Sequence, residues 1–329
     1  RLGAHKLVAQ LASVLGQRFP LELIKAMWEG PPQALRQGLQ ALIQADLLVR
    51  AGTPVEPAYE FKHALIAEAA YASVLRRERR RYHARAADAL RDLFGRDIAF
   101  RPERVAWHLS ASEQPEAAFE AWLAAAEASS RRSAHAEAMS HLHYAEAELA
   151  KLAGTDAAAH AERHLNLKLA SAPVLIARMG WAAPDVESAY RAALDACDAL
   201  DAPPPTRFEA LRGLSNVYLL RGNLRQAKEI CEQIYHKAME AADHSLIIDA
   251  HRLPGVCSFL EADFSAAVDH FDTVIQKYEP EKSRTATQQH GLQPIAITTA
   301  WRAWADWFQG DYHNVLPRLE EAARLAAGH

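Results

Sequence analysis

Histidines are the residues of this chain with the most chemical potential, and their spacing decides what they can do. His160 and His164 are four residues apart, so a helix would place both rings on one face, and His141 and His143 flank a leucine. Zinc sites use about three or four protein ligands, and no cysteine or carboxylate set completes either pair. We therefore interpret all of them as surface histidines and predict no metal site.

The cysteines offer little chemistry by their spacing. Cys197, Cys231 and Cys257 are too few and too scattered for a disulfide framework or a zinc site. Each falls within a helical pattern without an evident activating neighbour. We predict buried small residues rather than nucleophiles, in a protein of the reducing cytoplasm.

Catalytic motifs that depend on glycine are missing from the sequence. None of the 14 glycines precedes a lysine, and no Gly-x-Gly occurs, so there is no Walker A loop, dinucleotide fingerprint or kinase glycine loop. Gly-x-Ser-x-Gly and His-Glu-x-x-His are missing as well. We predict that this chain by itself is not an enzyme, has no catalytic residues and holds no cofactor.

Length and composition indicate a globular protein of at least two units. The 329 residues are 50% hydrophobic and 24% charged, with a net charge of -4 that argues against coating nucleic acid or an anionic membrane. No apolar run approaches the roughly 20 residues that span a bilayer. Because the chain starts at Arg1 without a methionine and stops after a helical run, we expect a piece of a longer protein.

The first ninety or so residues predict three helices followed by a two-stranded wing. Apolar Leu35, Leu39 and Leu42 recur at helical spacing after Pro31-Pro32, which is a typical helix start. The expected elements are helices over 6–15, 19–30 and from 32, strands over 47–50 and 59–62, and a helix from His63 to about Leu75. This order is that of a winged helix.

Beyond about residue 100 the pattern becomes paired helices that match the tetratricopeptide (TPR) template of about 34 residues. One copy has Leu214 and Tyr218 on its first helix, Gly222 at the turn and small Ala227 at the helix crossing. Weaker copies centre on Trp122 and Ala138, on residues 160–200, on Gly255 and Ala267, and on Gly310 and Ala322. The predicted fold is all-α, with a winged-helix-like unit over 1–95 that carries a small β-hairpin and a TPR-like solenoid over 96–329.

Two stretches resemble a known protein family. The runs 61–66, 68–71 and 79–83 look like the region after the ATPase module of large bacterial STAND-type signalling ATPases. Such proteins are often fused to a class III adenylate or guanylate cyclase or to a regulatory DNA-binding domain. The run from Gly180 to Tyr190 resembles the repeats of the cyclase-fused group.

The resemblance implies a nucleotide-sensing role for His63. In this family the winged helix packs on the ATPase module, which would be an intramolecular partner, and a histidine contacts a phosphate of ADP. His63 is the matching position, although Lys62 and Ala64 depart from the family's Met-His-Asp pattern. ATP or ADP would thus be a ligand of the parent protein. The alternative is a helix-start histidine satisfied by local backbone.

The repeat register predicts a protein or peptide partner on the concave face. With Gly310 at the template's fifteenth position, Trp304 and Trp307 take the ninth and twelfth, which line that face. The same register places Arg212, Asn216 and Arg252 there. Two indole rings beside two guanidinium groups suit an extended or acidic peptide. The alternative is that the tryptophans pack against a following helix.

Two functions from different classes therefore remain open. The first is a regulatory, protein-interaction segment that couples nucleotide state to partner sensing. The second is a STAND-class transcription regulator whose winged helix binds DNA. The basic run 76–81 supports the second, but the third helix has little Lys or Arg to contact phosphates, and a basic run is more often a solvated helix face.

Overall fold

The computed structural model describes residues 5–94, 102–154, 156–202, 204–241, 244–279 and 294–327. Its contacts divide the chain into one unit over 1–160 and a second over 161–329, and each is described by itself. The predicted boundary between residues 95 and 96 lies outside the described residues and stays a prediction.

The first unit begins with three helices and a small sheet. The elements are α1 (Lys6–Val14), β1 (Arg18–Pro20), α2 (Leu21–Met27), α3 (Pro32–Gln44), β2 (Leu48–Gly52) and β3 (Pro57–Phe61). Strand β3 lies between β1 and β2 and is antiparallel to both, with Phe19 opposite Tyr59 and Leu48 opposite Phe61. This order of elements is winged-helix-like.

Strand β1 is a correction to the sequence-based prediction, which placed Phe19 at the start of a helix. Phe19 is fully buried and packs on the rings of Tyr59 and Phe61, with centroids 6.1 Å away in both cases. Pro20 follows in an extended conformation and forms the N-terminal boundary of α2. The strand exists because β3 offers a free edge, and a local pattern of three residues does not reveal that edge.

Five more helices complete the first unit. They are α4 (Ala64–Ala72), α5 (Arg76–Phe94), α6 (Pro102–Ala111), α7 (Pro115–Arg131) and α8 (His135–Lys151). Consecutive helices from α5 to α8 pack on one another. The residues of the predicted early repeat, Trp122, Ala138, Leu142 and Ala145, are all buried between α7 and its neighbours.

The second unit continues the pairing of helices. Its elements are α9 (Ala157–Met179), α10 (Pro184–Leu200), α11 (Pro204–Leu220), α12 (Leu224–Ala241), α13 (His244–Leu260), α14 (Phe264–Lys277), α15 (Pro294–Gln309) and α16 (Tyr312–Ala327). Small or apolar residues from successive helices, including Ala227, Ile234, Leu253 and Phe271, form one buried cluster. The structure confirms the predicted all-α fold with a TPR-like helical solenoid.

One turn geometry recurs between paired helices. At six described turns a residue with positive φ ends the first helix; these are Glu113, Ser133, Asp201, Gly222, Ala262 and Gly310. The N–H group of this residue and that of the next residue both donate to carbonyl groups of the last helical turn. At the turn after α13, for example, Asp263 N–H donates to the Ser258 carbonyl at 2.9 Å. Such Schellman turns satisfy carbonyl groups that the helix end leaves without a partner. The Asp263 carboxylate then accepts from Ala266 N–H and starts α14.

Ala262 is the residue to change in order to test this turn. It has φ of 63° and an exposed side chain, so Ala262→Gly relieves the left-handed strain and removes no buried contact. We expect the free energy of unfolding in urea to rise by about 1 kcal/mol. The matched control is Ala267→Gly, in the buried interior of α14, which should lose about 1 kcal/mol. Destabilisation by Ala262→Gly would contradict the proposed role of the turn.

Candidate functional site

The candidate binding site is built on the first helices of two successive repeats. Arg252 lies on α13 and donates from both Nε and Nη2 to Oδ1 of Asp249, at 3.0 and 2.8 Å. Arg212 on α11 reaches the other oxygen of the same carboxylate at 3.4 Å. The structure therefore brings together two arginines that the register predicted to share a face. The carboxylate between them was not predicted.

The shared carboxylate fixes both guanidinium groups in place. The side chains of Arg212, Asp249 and Arg252 are 16%, 16% and 13% exposed, so the cluster is shielded from most of the solvent. Glu209 lies near Arg212; burial raises the pKa of Glu209, and the positive charge of Arg212 opposes that rise. Asn216, one turn after Arg212 on α11, is half-buried. The arrangement can present rigid, oriented N–H donors.

The predicted aromatic residues lie on the exposed side of α15. Trp304 and Trp307 are 55% and 57% exposed, whereas Arg302 and Asp306 on the opposite face of the helix are buried. Trp301 packs on Phe259, with ring centroids 5.1 Å apart. Packing thus explains Trp301. Trp307 also packs edge-on against the ring of Tyr312 on α16, with centroids 5.2 Å apart, but both Trp304 and Trp307 keep more than half of their surface exposed.

A partly buried ion network holds α15 in this orientation. Arg302 donates to both oxygens of Asp272 on α14 and to Asp306 on its own helix, and Arg318 on α16 lies 2.8 Å from Asp306. Burial disfavours the charged guanidinium, but the hydrogen bonds and charges of the two aspartates more than compensate and raise the pKa of Arg302. The sequence did not reveal this network, because its members come from three helices that only the fold brings together.

His63 lies where the sequence predicted, at the N-cap of α4. Its side chain is exposed and makes no capping hydrogen bond, while its carbonyl accepts from Ile66 N–H at 3.0 Å. Lys62 beside it is paired with Asp46. An exposed imidazole at this position can reach an external group, and the nucleotide-sensing role of His63 stays a prediction.

The basic run at the start of α5 is engaged by acidic residues of the same unit. Arg76 and Arg80 both pair with Glu113 at the turn between α6 and α7, and Arg85 pairs with Glu29. Arg79 stacks over the ring of Tyr71, with its guanidinium carbon 4.4 Å from the ring centroid. Most of these charges thus hold helices together, which weakens the DNA-binding alternative.

The histidines singled out by their spacing differ in exposure. His143 is exposed, and His141, His160 and His164 are half-buried. His141 stacks on the buried indole of Trp122, with centroids 5.4 Å apart. Within the part of the chain that the structure describes, no three histidine, cysteine or acidic residues group together as metal ligands.

The sequence is similar to that of a curated protein. No protein-family model matches the sequence. An uncharacterized protein of Rhizobium meliloti (strain 1021) is 30% identical over 196 residues, which are 59% of this chain and 19% of that protein. The chain thus matches only about a fifth of that curated relative's length.

Among solved structures, the chain is similar to a Rap protein complexed with competence and sporulation factor. The TM-score is 0.51 at 13% identity, covering 98% of this chain and 77% of that one. Weaker similarities link it to BtubC from P. vanneervenii, at TM-score 0.48, 13% identity and 78% and 92% of the two chains. A STAND signal transduction ATPase with a tetratricopeptide repeat sensor from Pyrococcus horikoshii gives TM-score 0.38 and 11% identity, over 98% and 63%. At these identities the likeness shows the fold alone.

None of the described helices is both long and apolar enough to cross a membrane.

The first unit also contains a buried histidine pair that spacing along the sequence did not reveal. His83 on α5 and His108 on α6 meet through their Nδ1 atoms at 2.8 Å, and His83 Nε2 lies 2.9 Å from the Tyr71 hydroxyl. Burial, followed by the charge of Arg79, lowers the pKa of His83 to about 4. Burial, followed by His83 and Arg104, lowers the pKa of His108 to about 3. Both rings are therefore neutral at pH 7.

This pair predicts a loss of stability in acid. The unfolded chain takes up a proton at each ring near the ordinary imidazole pKa of 6.5, whereas the folded chain does so only near 4 and 3, so stability is present above pH 6.5 and falls as the pH drops toward 4. The expected loss is on the order of 3 kcal/mol per histidine. Urea unfolding from pH 7 to pH 4 measures it. His108→Leu should flatten the profile relative to the exposed control His143→Gln, and identical profiles for the two variants would contradict the assignment.

Proposed function

We propose that this chain is a non-catalytic regulatory segment of a larger bacterial signalling ATPase of the STAND type, with a nucleotidyl cyclase in the parent protein. Its helical repeats bind a protein or peptide partner, and its winged-helix-like unit couples the nucleotide state of an ATPase module to that binding. The TPR-like fold supports the interaction role, as does the similarity to a Rap protein in complex with competence and sporulation factor. The runs 61–66, 68–71 and 79–83 resemble the region that follows the ATPase module in STAND proteins, and they support an ATPase module in the parent protein.

The cluster of Arg212, Asp249 and Arg252 is the observation that carries the proposal. Adjacent repeats contribute the two guanidinium groups, and one carboxylate orients both. A guanidinium can bind a carboxylate through two parallel N–H donors, and an arginine that is already ordered loses little entropy when a ligand arrives. An acidic side chain or a C-terminal carboxylate of a peptide is the group that this cluster would bind.

Trp304 and Trp307 supply the second element of the proposed site. Their exposed indoles offer large rigid surfaces, and such residues dominate the energetics of many protein interfaces. Because Arg302 and Asp306 anchor the opposite face of α15, the indoles keep their outward direction without help from a ligand. A partner peptide would gain apolar contact area from the indoles and orientation from the arginines.

A binding assay with fluorescein-labelled acidic peptides that contain aromatic residues tests the proposal. We expect Arg252→Ala and Trp304→Ala each to weaken binding about tenfold, which corresponds to about 1.4 kcal/mol. Arg252→Lys should weaken binding nearly as much, since it keeps the charge and removes the fork. Arg77→Ala, at an exposed residue of the first unit, is the control for the loss of an arginine. Trp107→Ala, at a half-exposed indole that packs edge-on against His83 and His108, is the control for the loss of an indole.

Thermal unfolding of every variant separates binding from folding. A loss of stability without a separate loss of binding would show that the tryptophans and arginines only pack. Tight, sequence-specific DNA binding in a gel-shift assay with the unaltered chain would instead favour the transcription-regulator alternative.

His63 provides an independent test in the full-length protein. The exposed imidazole is expected to donate to a phosphate oxygen of bound ADP, so His63→Ala should speed ADP release. A coupling of about 1–3 kcal/mol corresponds to a change of roughly 5- to 150-fold. The matched control is His143→Ala. An unchanged ADP off-rate would reduce His63 to a helix-start histidine and would leave the peptide site unaffected.

A further inference from the structure

Two cysteines that are 26 residues apart in sequence meet inside the second unit. Cys231 on α12 and Cys257 on α13 have their sulfur atoms 3.6 Å apart, and the residues are 1% and 2% exposed. The Ser215 hydroxyl on α11 lies 3.4 Å from the sulfur of Cys231. These polar side chains therefore form a line through three consecutive helices. The predicted burial of the cysteines is confirmed, but the prediction that they lack an activating neighbour is wrong for this pair.

The third cysteine has a different environment. Cys197 lies in a separate apolar cluster with Leu165, Ala193 and Ala210. Burial raises the pKa of its thiol, and the contribution of nearby Arg207 does not reverse that. Cys197 therefore serves as an internal control for the pair, because it is a buried cysteine of the same unit that lies in a different apolar cluster.

The hydrogen bond between the paired thiols makes the two sulfur atoms unequal. The bond between the two thiols, helped by the Ser215 hydroxyl and Arg252, lowers the pKa of Cys231 despite its burial. The same bond, together with burial, raises the pKa of Cys257. Cys231 is accordingly the better nucleophile, because the thiolate is the reactive form of cysteine.

We propose that Cys231 and Cys257 form a reversible redox pair, which a small peroxide converts into a disulfide between successive repeats. A disulfide requires a sulfur–sulfur distance of about 2.05 Å, so the atoms must approach by about 1.5 Å. Rotation of two side chains and a small shift of α13 against α12 provide that movement. A water-sized oxidant is the class that can reach a buried pair through local opening of the helices.

The reaction balances in two steps with hydrogen peroxide as the oxidant. The Cys231 thiolate attacks one peroxide oxygen, an S–O bond forms, the O–O bond breaks, and the departing hydroxide takes a proton to become water. The Cys257 sulfur then attacks the sulfenic acid, the S–S bond forms, the S–O bond breaks, and the proton of Cys257 leaves with the second water. The two cysteines together lose two electrons, and the peroxide gains them.

The disulfide would lock one repeat to the next. It joins the second helix of one pair to the first helix of the following pair, and α13 also carries Asp249 and Arg252. The two sides of the α12–α13 contact would then no longer move independently. In a reducing compartment such a bond is transient, so it would act as a switch rather than a permanent brace.

Peptide mapping without reduction after treatment of the folded chain with hydrogen peroxide tests the proposal. Exposed Met179, 48% accessible, serves as an internal dosimeter, and peroxide is added until this residue is oxidised. We expect a cross-linked peptide that joins Cys231 to Cys257, loss of two of the three free thiols, and full reversal by dithiothreitol. Circular dichroism should show unchanged helicity, and Tm should rise by about 5 °C.

Single variants distinguish the pair from a buried thiol that reacts by chance. Cys257→Ser should leave Cys231 as a sulfenic acid, which dimedone traps when the chain is unfolded in its presence after the peroxide is removed, whereas Cys197→Ser should form the Cys231–Cys257 disulfide as the unaltered chain does. The proposal is overturned if both thiols survive the dose that oxidises Met179, or if the disulfide appears only when helicity is lost. Equal dimedone labelling of Cys197 and Cys231 in Cys257→Ser would overturn it as well.

Discussion

The left-handed turn between paired helices is the constraint on which the rest of this structure depends. At Gly222, Ala262 and Gly310 the chain changes direction at a single residue with positive φ. The N–H of the residue that follows each of them donates to a carbonyl group in the last turn of the first helix. Because the reversal is so short, the second helix must pack closely on the first, and small residues such as Ala227 and Ala267 at the crossing permit this. The solenoid and every site on it follow from repeating that unit.

Several charged side chains of the described residues connect one helix to another. Asp249 joins α11 to α13, Glu113 joins the turn after α6 to α5, and Arg302 joins α14 to α15. Partly buried guanidinium groups with several hydrogen bonds are rigid, which makes them poor general phosphate binders and good binders of one oriented carboxylate. The same feature that weakens the case for DNA therefore strengthens the case for a protein or peptide partner.

Polar pairs between neighbouring helices are a second recurring theme. His83 meets His108, His251 meets His270 at 3.2 Å, and Cys231 meets Cys257. In each pair a single hydrogen bond joins the two side chains. A second proton on a pair of histidines, or a covalent bond between the two sulfur atoms, changes the distance that the two helices must keep. Repeat interfaces built in this way respond to acid or oxidant more readily than apolar ones do. That property suits the regulatory role proposed for this segment.

The sequence by itself determined the helical fold, the hairpin and the repeat turns at Gly222 and Gly310, because these depend on periodicity and on residues a few positions apart. It also placed Arg212 and Arg252 on one face, since a repeating template carries that information. Only the tertiary structure decided that Phe19 lies in a strand, that Asp249 bridges the arginines and that two of the three cysteines touch. Each of these depends on atoms from separate elements meeting within hydrogen-bonding distance or in strand register, and spacing along the chain does not encode which side chains will face each other across two packed helices.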